Sequence, residues 1–449
     1  MNAAAVERTE EQDHSQPNLD DLRAAAVTVV RDLVEAGHVA YFAGGCVRDR
    51  LLGLQPADYD VATSARPEQV KSAFRRVREV GVAFGVMLVR VRSHEIQVAT
   101  FRTDGVYSDG RHPDTVTFSD AQHDASRRDF TINGLFEDPL QDRIIDFVGG
   151  RTDLDARILR AIGDAEARLR EDRLRMLRAV RFAAKFAFAI EPDTAEAIRR
   201  GAAELQGVSR ERIGQEVKKM LCDGNRAVAA WEMQYLGLDM PVLMEPNRLT
   251  APTRVGRLPE DAPYSTALAA WLLDRHDPAT QAANDQPPVD LDEVAERWRR
   301  SLLLSNEEVD AFRTALNIYR TLWAGWGHLG VARQKRLAAS TGFQGGLMLL
   351  QATDRQAFVD VRRRVLDLSE SGLAPTSLID GEDLISLGLR PGPVFSRVLE
   401  GVYDAQLEGS IETRDQALHL ARTIAFAESG HGRRREGPKS GGTDAAGAG

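Results

Sequence analysis

Apolar positions along the chain change their spacing several times, and those changes divide it. Residues 1–18 are polar and acidic without any period, which reads as disorder. From Leu19 the spacing becomes helical: Leu22, Val29, Val30, Leu33 and Val34 recur three to four apart, and Gly37 is placed to end the helix. HVAYFA is then a short apolar run typical of a buried strand, and Gly44-Gly45 follow it. DYDVAT, residues 58–63, is a second strand. Ser64 to Pro67 supply a cap and a first-turn proline for a helix through Val77. Residues 86–91 and 96–101 are β-rich runs on either side of Arg92-Ser93-His94. TDGVYSDGRHPDT, residues 103–115, reads as loop, and a helix is expected to begin near Ser126. After Gly149-Gly150 the strand signal fades. From Arg168 to Ala427 the text is mostly helical, broken by a linker at residues 277–288, and it has no repeat of fixed period. The pattern predicts an α+β protein with a mixed-sheet head over 19–165, a helical neck over 166–235 and a helical body and tail over 236–428. Disordered ends are expected at 1–18 and 429–449.

Composition narrows the class. The chain has 449 residues, 43% hydrophobic and 28% charged, which is too long for one small domain. No apolar run approaches the ~18–20 residues that span a bilayer, so a membrane-spanning protein is excluded. The acidic start lacks the apolar core of a signal peptide. Cys46 and Cys222 alone make neither a disulfide framework nor a zinc site, and a reducing cytoplasm fits. The formal net charge of −9 argues on its face against a nucleic-acid partner. The excess acid, however, sits in the first residues and in the helical half. Between about residues 40 and 230 the charges nearly balance. Lysine occurs only at Lys71, Lys185, Lys218, Lys219, Lys335 and Lys439; every other basic residue is arginine. Arginine suits bidentate recognition of phosphates and base edges, although a GC-rich genome gives the same bias.

Placement adds what composition does not. Asp58 and Asp60 lie two apart, so in a strand they share a face and can jointly hold Mg²⁺, a hard, oxygen-seeking cation. Two such ions can activate a hydroxyl and stabilise a leaving oxygen in phosphoryl transfer; a lone Asp-x-Asp is equally a solvated turn. Gly44-Gly45 between strand and helix let a phosphate approach the backbone, with Arg48 one turn further on. Cys46, inside that motif, reads as space-filling. In RRDFTIN, Arg128 can bind phosphate oxygens and Asp129 a ribose hydroxyl, while Phe130 belongs to the core and Arg127 to an ion pair. Glu171-Asp172-Arg173-Leu174-Arg175 continues to Arg178 and Arg181. These three arginines, three apart, drift round a helix and need not touch one group, whereas Leu174, Leu177 and Val180 form the core stripe. A salt-bridged surface helix with a Glu171–Arg175 pair is the plain alternative.

In order and spacing, GGCVRD, DYD with Thr63, RRDFTIN and EDRLRMLRAVRF resemble the motifs of class II tRNA nucleotidyltransferases and bacterial poly(A) polymerases. These belong to the polymerase-β-like nucleotidyltransferase superfamily. The resemblance spans residues 38–230. It implies a polymerase-β-like head, catalytic Mg²⁺ on Asp58 and Asp60, and a nucleotide-binding set of Gly44, Gly45, Arg48, Arg128, Asp129, Asn133, Glu171, Asp172, Arg175, Arg178 and Arg181. Gly45, Arg48 and Arg128 would hold the triphosphate and Asp129 the ribose; Asp172 and Arg175 would read the base. Adenine and cytosine each present an amine beside a ring-nitrogen acceptor, which a carboxylate and a guanidinium match. Guanine and uracil reverse the pattern and leave buried groups mismatched. The implied activity is template-independent CCA addition to tRNA 3′ ends from CTP and ATP. Poly(A) or A-only addition is the alternative, and a catalytically weakened RNA-binding homologue the second. VGVAFGVMLV lacks the basic run of the poly(A) enzymes, and the loop from Asp104 to Asp120 resembles the one linked to switching from CTP to ATP; RMLRAVRFAAKF is as close to the poly(A) enzymes. Gln97 stands where the family usually has Glu as a third carboxylate; either Glu95, on the same strand face, stands in, or the third carboxylate is dispensable, or the activity is weakened, and the two-aspartate core is taken as sufficient. His276-Asp277 resembles an HD metal motif, but no histidine lies between His123 and His276, so it reads as structural.

Overall fold

The computed structural model describes residues 19–81, 84–105, 107, 114–276 and 289–432. The expected disorder at 1–18 and 433–449, the linker at 277–288 and the tip of the 103–115 loop lie outside the described residues.

The head is built on a seven-stranded mixed sheet. Its strands are β1 (Ala40–Ala43), β2 (Val61–Thr63), β3 (Val77–Gly81), β4 (Val86–Val91), β5 (His94–Thr100), β8 (Phe136–Asp138) and β9 (Arg143–Ile145), in the order β3-β4-β5-β2-β1-β8-β9. β6 (Arg102–Asp104) and β7 (Val116–Phe118) pair as a separate two-stranded sheet where the sequence pattern reads as loop. All neighbours in the large sheet are antiparallel except β2 and β5. Helix α1 (Leu19–Glu35) buries Ala25, Ala26, Val29, Val30 and Leu33 and ends before Gly37 at φ +91°, as its spacing predicts. Helix α2 (Gly45–Leu51) follows β1 directly.

Three local expectations are corrected. The helix at Pro67 stops at Ala73 (α3), because Val77 opens β3, whose residues pair with β4. Near Ser126 a helix ends instead of beginning: α4 (Ala121–Ser126) starts at the Asp120 side chain, which accepts from the His123 N–H. Arg127 to Phe130 then leave the helix and enter a single 3₁₀ turn at Thr131–Asn133. Glu171 to Arg181 is not one helix either. After α5 (Gly150–Asp155), α6 (Ala165–Glu171) breaks at Asp172, and α7 (Leu174–Phe186) begins anew.

Beyond α7 the regular elements among the described residues are helical except the two-residue strand Ala189–Ile190, which pairs in parallel with Ile158–Leu159 ahead of α6. α8 (Pro192–Gly201) and α9 (Arg210–Leu221) pack by α6 and α7. Chain contacts define two compact units, Met1–Pro252 with Pro278–Leu304, and Thr253–Asp277 with Ser305–Gly449. The first holds the head and the expected neck; it also takes in the helix Leu291–Leu302, which the sequence reading assigns to the body. In the second, the fully buried helix Tyr264–Arg275 packs against Asn306–Gly325 and Phe343–Thr353. His276 caps that helix and is buried, while Asp277 lies outside the described residues. A separate core of Ile379, Leu384, Val398, Val402, Ala417, Ala421 and Ala425 closes the C-terminal end. The last helix runs to Gly432, so residues 429–432 are helical where disorder is expected. No helix among the described residues is long and apolar enough to cross a membrane.

Candidate active site

A cleft of about 790 Å³ opens in the first unit. It brings together Gly44, Gly45, Arg48, Asp58, Asp60, Arg128, Asp129, Asn133, Asp172, Arg175 and Arg178. Two residues of the predicted set, Glu171 and Arg181, do not line it.

The turn after β1 forms one wall. Gly44 sits at φ +75°, a conformation that favours glycine, and a Cβ there would come within 2.7 Å of Arg128 Nη1 and displace the guanidinium. Arg48 is buried; its guanidinium donates to Asn133 Oδ1 at 2.5 Å and to Asp49 Oδ1 at 2.6 Å. Cys46 is buried beside it, and its thiol is pushed up to about 12 by burial, which fits a space-filling role.

Asp58 and Asp60 stand on the extended approach to β2, just outside the strand in which the sequence places them. Alternation still holds because Asp60 C=O accepts from Ala43 N–H at 3.0 Å and extends the β1 pairing. Tyr59 therefore turns inward, its ring centroid 5.1 Å from that of Phe42, and the two carboxylates border the cleft. Burial, then the charge of Asp58, pushes the Asp60 carboxyl up to about 6, against the pull of Arg128. Glu95 is no stand-in for a third carboxylate. It pairs with Arg78 at 2.9 Å toward the outer strands, and neither Glu95 nor Gln97 lines the cleft. Among the described residues no group of three or more His, Cys, Asp or Glu can hold a metal by itself. Two carboxylates completed by substrate phosphates is, however, an ordinary Mg²⁺ arrangement, and the all-oxygen donor pair fits that ion.

The RRD turn and the neck form the other wall. Arg128 is held by Asp124 Oδ2 at 3.0 Å and donates to the Asn133 carbonyl at 3.3 Å. Asp129 accepts from Arg178 at 2.6 and 2.9 Å, from the Asn133 amide at 2.9 Å and from Phe130 N–H at 2.8 Å. Burial alone would raise its carboxyl, but Arg178 and these donors outweigh burial and hold it at about 2. The sign follows. Relative to an ordinary 3.8, ionised Asp129 stabilises the fold by about 2 kcal/mol above pH 4, a contribution lost as pH falls toward 2. Asp129→Asn should thus unfold more easily than the native chain at pH 6, with the gap in denaturation midpoint closing by pH 2.

The three arginines of α7 take three partners, as their drift predicts. Arg175 donates to Glu171 at 2.5 Å, Arg178 to Asp129, and Arg181 to Glu216 at 2.6 Å. The Glu171–Arg175 pair spans the break between α6 and α7 and is not an i,i+4 pair within one helix. Asp172 Oδ1 accepts from Leu174 N–H at 3.0 Å and so starts α7; its Oδ2 accepts from Arg212 at 2.7 Å. Arg102, Asp104, Tyr107, Arg127, Phe182 and Arg212 also line the cleft and were not in the predicted set. Arg127 had a visible signal beside Arg128; Arg212, on α9, had none near Asp172 in sequence. Seven arginines face five aspartates there, a local positive excess that the net charge conceals.

Sheet, paired aspartates and arginine wall define a polymerase-β-like nucleotidyltransferase. Residues 40–160 match the family described as "Poly A polymerase head domain", and residues 187–245 that described as "Probable RNA and SrmB- binding site of polymerase A". A CCA-adding enzyme of Lactobacillus delbrueckii subsp. bulgaricus is 33% identical over 397 residues, 88% of this chain and 96% of the relative. One from Geobacillus stearothermophilus is 45% identical over 197 residues, 44% of this chain and 48% of the relative. The crystal structure of the Bacillus stearothermophilus CCA-adding enzyme in complex with CTP matches with a TM-score of 0.72 and 29% identity, covering 91% of this chain and 98% of that one. The Thermotoga maritima CCA-adding enzyme complexed with tRNA shares the fold, with a TM-score of 0.63, 20% identity and coverage of 92% and 96%. The chain belongs to the family of class II tRNA nucleotidyltransferases and bacterial poly(A) polymerases, among the CCA-adding enzymes.

Proposed function

We propose that this nucleotidyltransferase adds CCA to tRNA 3′ ends from CTP and ATP without a template, releasing pyrophosphate. The observation that carries the reading is one carboxylate and one guanidinium, Asp172 and Arg175, on the same cleft as the aspartate pair. One such pair accepts the amine and serves the ring nitrogen of either cytosine or adenine.

In this reading the tRNA 3′-oxygen forms a bond to the α-phosphorus as the bond from that phosphorus to the bridging oxygen breaks and pyrophosphate leaves. Asp58 and Asp60 would hold Mg²⁺, which when bound neutralises charge on the phosphates and lowers the pKa of the attacking hydroxyl. The open Gly44-Gly45 turn, Arg48 and Arg128 hold the triphosphate, and Asp129 with Asn133 takes the ribose. Glu171 orients Arg175, and Arg178 fixes Asp129. Arg181, outside the cleft, supports that wall. Positioning and charge neutralisation carry most of such chemistry. The neck and the helices after it are the RNA-binding part. Their grip is expected to weaken quickly with salt.

Three tRNAs, ending before CCA, after C and after CC, should be given each NTP separately. One C on each of the first two additions, one A on the third, and loss of all three on EDTA treatment support the reading. Long adenosine runs from any of them would replace it with poly(A) addition, and no addition would mean a weakened homologue.

A further inference from the structure

Phe182 lies on α7 where three guanidiniums converge. Arg181, Arg178 and Arg48 have their guanidinium carbons 4.3, 5.1 and 5.2 Å from its ring centroid. The ring is buried, lines the cleft, and meets Phe130 edge-on at 6.1 Å. Arg48 comes from the head helix α2, whereas Arg178 and Arg181 come from the neck helix itself. Like charges so close repel, and an aliphatic side chain would do nothing to offset that. An aromatic face carries negative quadrupole density and attracts each cation within about 6 Å.

We infer that Phe182 is a positioning residue for nucleotide binding: its π face fixes the triphosphate-side Arg48 and the ribose-side Arg178 at one separation across the head–neck junction. The inference rests on the proposed roles of those two arginines. Phe182 itself touches no reacting atom. Its ring offers no hydrogen bond that could distinguish one base from another, so its loss should weaken CTP and ATP alike and leave the choice of base untouched. Arg48 also has Phe186 at 4.5 Å, so this arginine is steered, not released, when one ring weakens.

The test varies the quadrupole at nearly constant ring size. Phenylalanines carrying one, two and three fluorines are placed at position 182 of the full chain, and KM and kcat are measured for CTP and ATP on the matching tRNA acceptors. KM should climb stepwise with fluorine number, to about tenfold for the trifluoro ring, equally for both nucleotides and with kcat within about twofold. A residue that only fills space would give a flat series. A flat series in an active enzyme overturns the inference alone. An unsubstituted chain that adds neither C nor A overturns the functional reading and this inference with it.

Discussion

Asp58→Ala and Asp60→Ala are each expected to lower nucleotide addition by about a thousandfold or more, the scale on which loss of metal or electrostatic stabilisation acts. The expectation rests on backbone geometry as much as on residue type. The hydrogen bond from Ala43 N–H to Asp60 C=O and the inward Tyr59 ring hold the approach to β2 extended, so both carboxylates reach the cleft. Among the described residues no third carboxylate is grouped with these two so as to hold a metal, so neither aspartate has a substitute. Asp58 is exposed, and truncating it should leave the unfolding midpoint nearly unchanged, since surface substitutions usually fall within about 0.5 kcal/mol. Single-turnover extension of a tRNA ending in CC with ATP is the assay. Near-native rates in Asp58→Ala would remove the metal assignment.

Asp172→Ala is expected to change which nucleotides are used more than how fast the chemistry runs. In the proposed reading the carboxylate accepts from the amine of adenine or cytosine, and its removal would take away the penalty that guanine and uracil meet there. A mismatched buried hydrogen bond costs about 1–3 kcal/mol, so the preference for ATP and CTP over GTP and UTP should shrink by about tenfold to a hundredfold. Asp172 also accepts from Leu174 N–H in the turn between α6 and α7 and anchors Arg212. The variant will therefore lose some activity with every nucleotide, at about 1 kcal/mol for the hydrogen bond from Leu174 N–H. The ratio of kcat/KM among the four NTPs separates the two effects. Unchanged ratios would place base reading elsewhere in the cleft.

The head was legible in the sequence where apolar alternation and glycine pairs dominate, as in β1, β4, β5 and the turn at Gly44. It was less so where tertiary pairing overrode local preference. The helix read through Val77 stops at Ala73, because pairing with β4 makes Val77 the first residue of a strand. The charged run from Glu171 to Arg181 reads as one helix, yet Asp172 turns its side chain onto Leu174 N–H and breaks it. The Glu171–Arg175 pair, which one continuous helix would also allow, persists across the break, while Asp172 meets Arg212. The cleft residues within the four motifs were recoverable because the motifs are local. Arg212, Asp104 and Tyr107 were not, since they reach the cleft only once α9 and the β6–β7 segment have packed. Phe182 was in plain view inside a motif, but nothing in one dimension shows three guanidiniums meeting on its ring.

In the proposed reading one cleft with one base-reading pair writes a defined sequence of three nucleotides drawn from two NTPs. The most direct measurement sequences the products formed on a tRNA lacking CCA when all four NTPs and Mg²⁺ are present. Nearly every extended 3′ end is expected to carry CCA and stop there. Homopolymeric adenosine tails, or ends of mixed sequence and indefinite length, would contradict it.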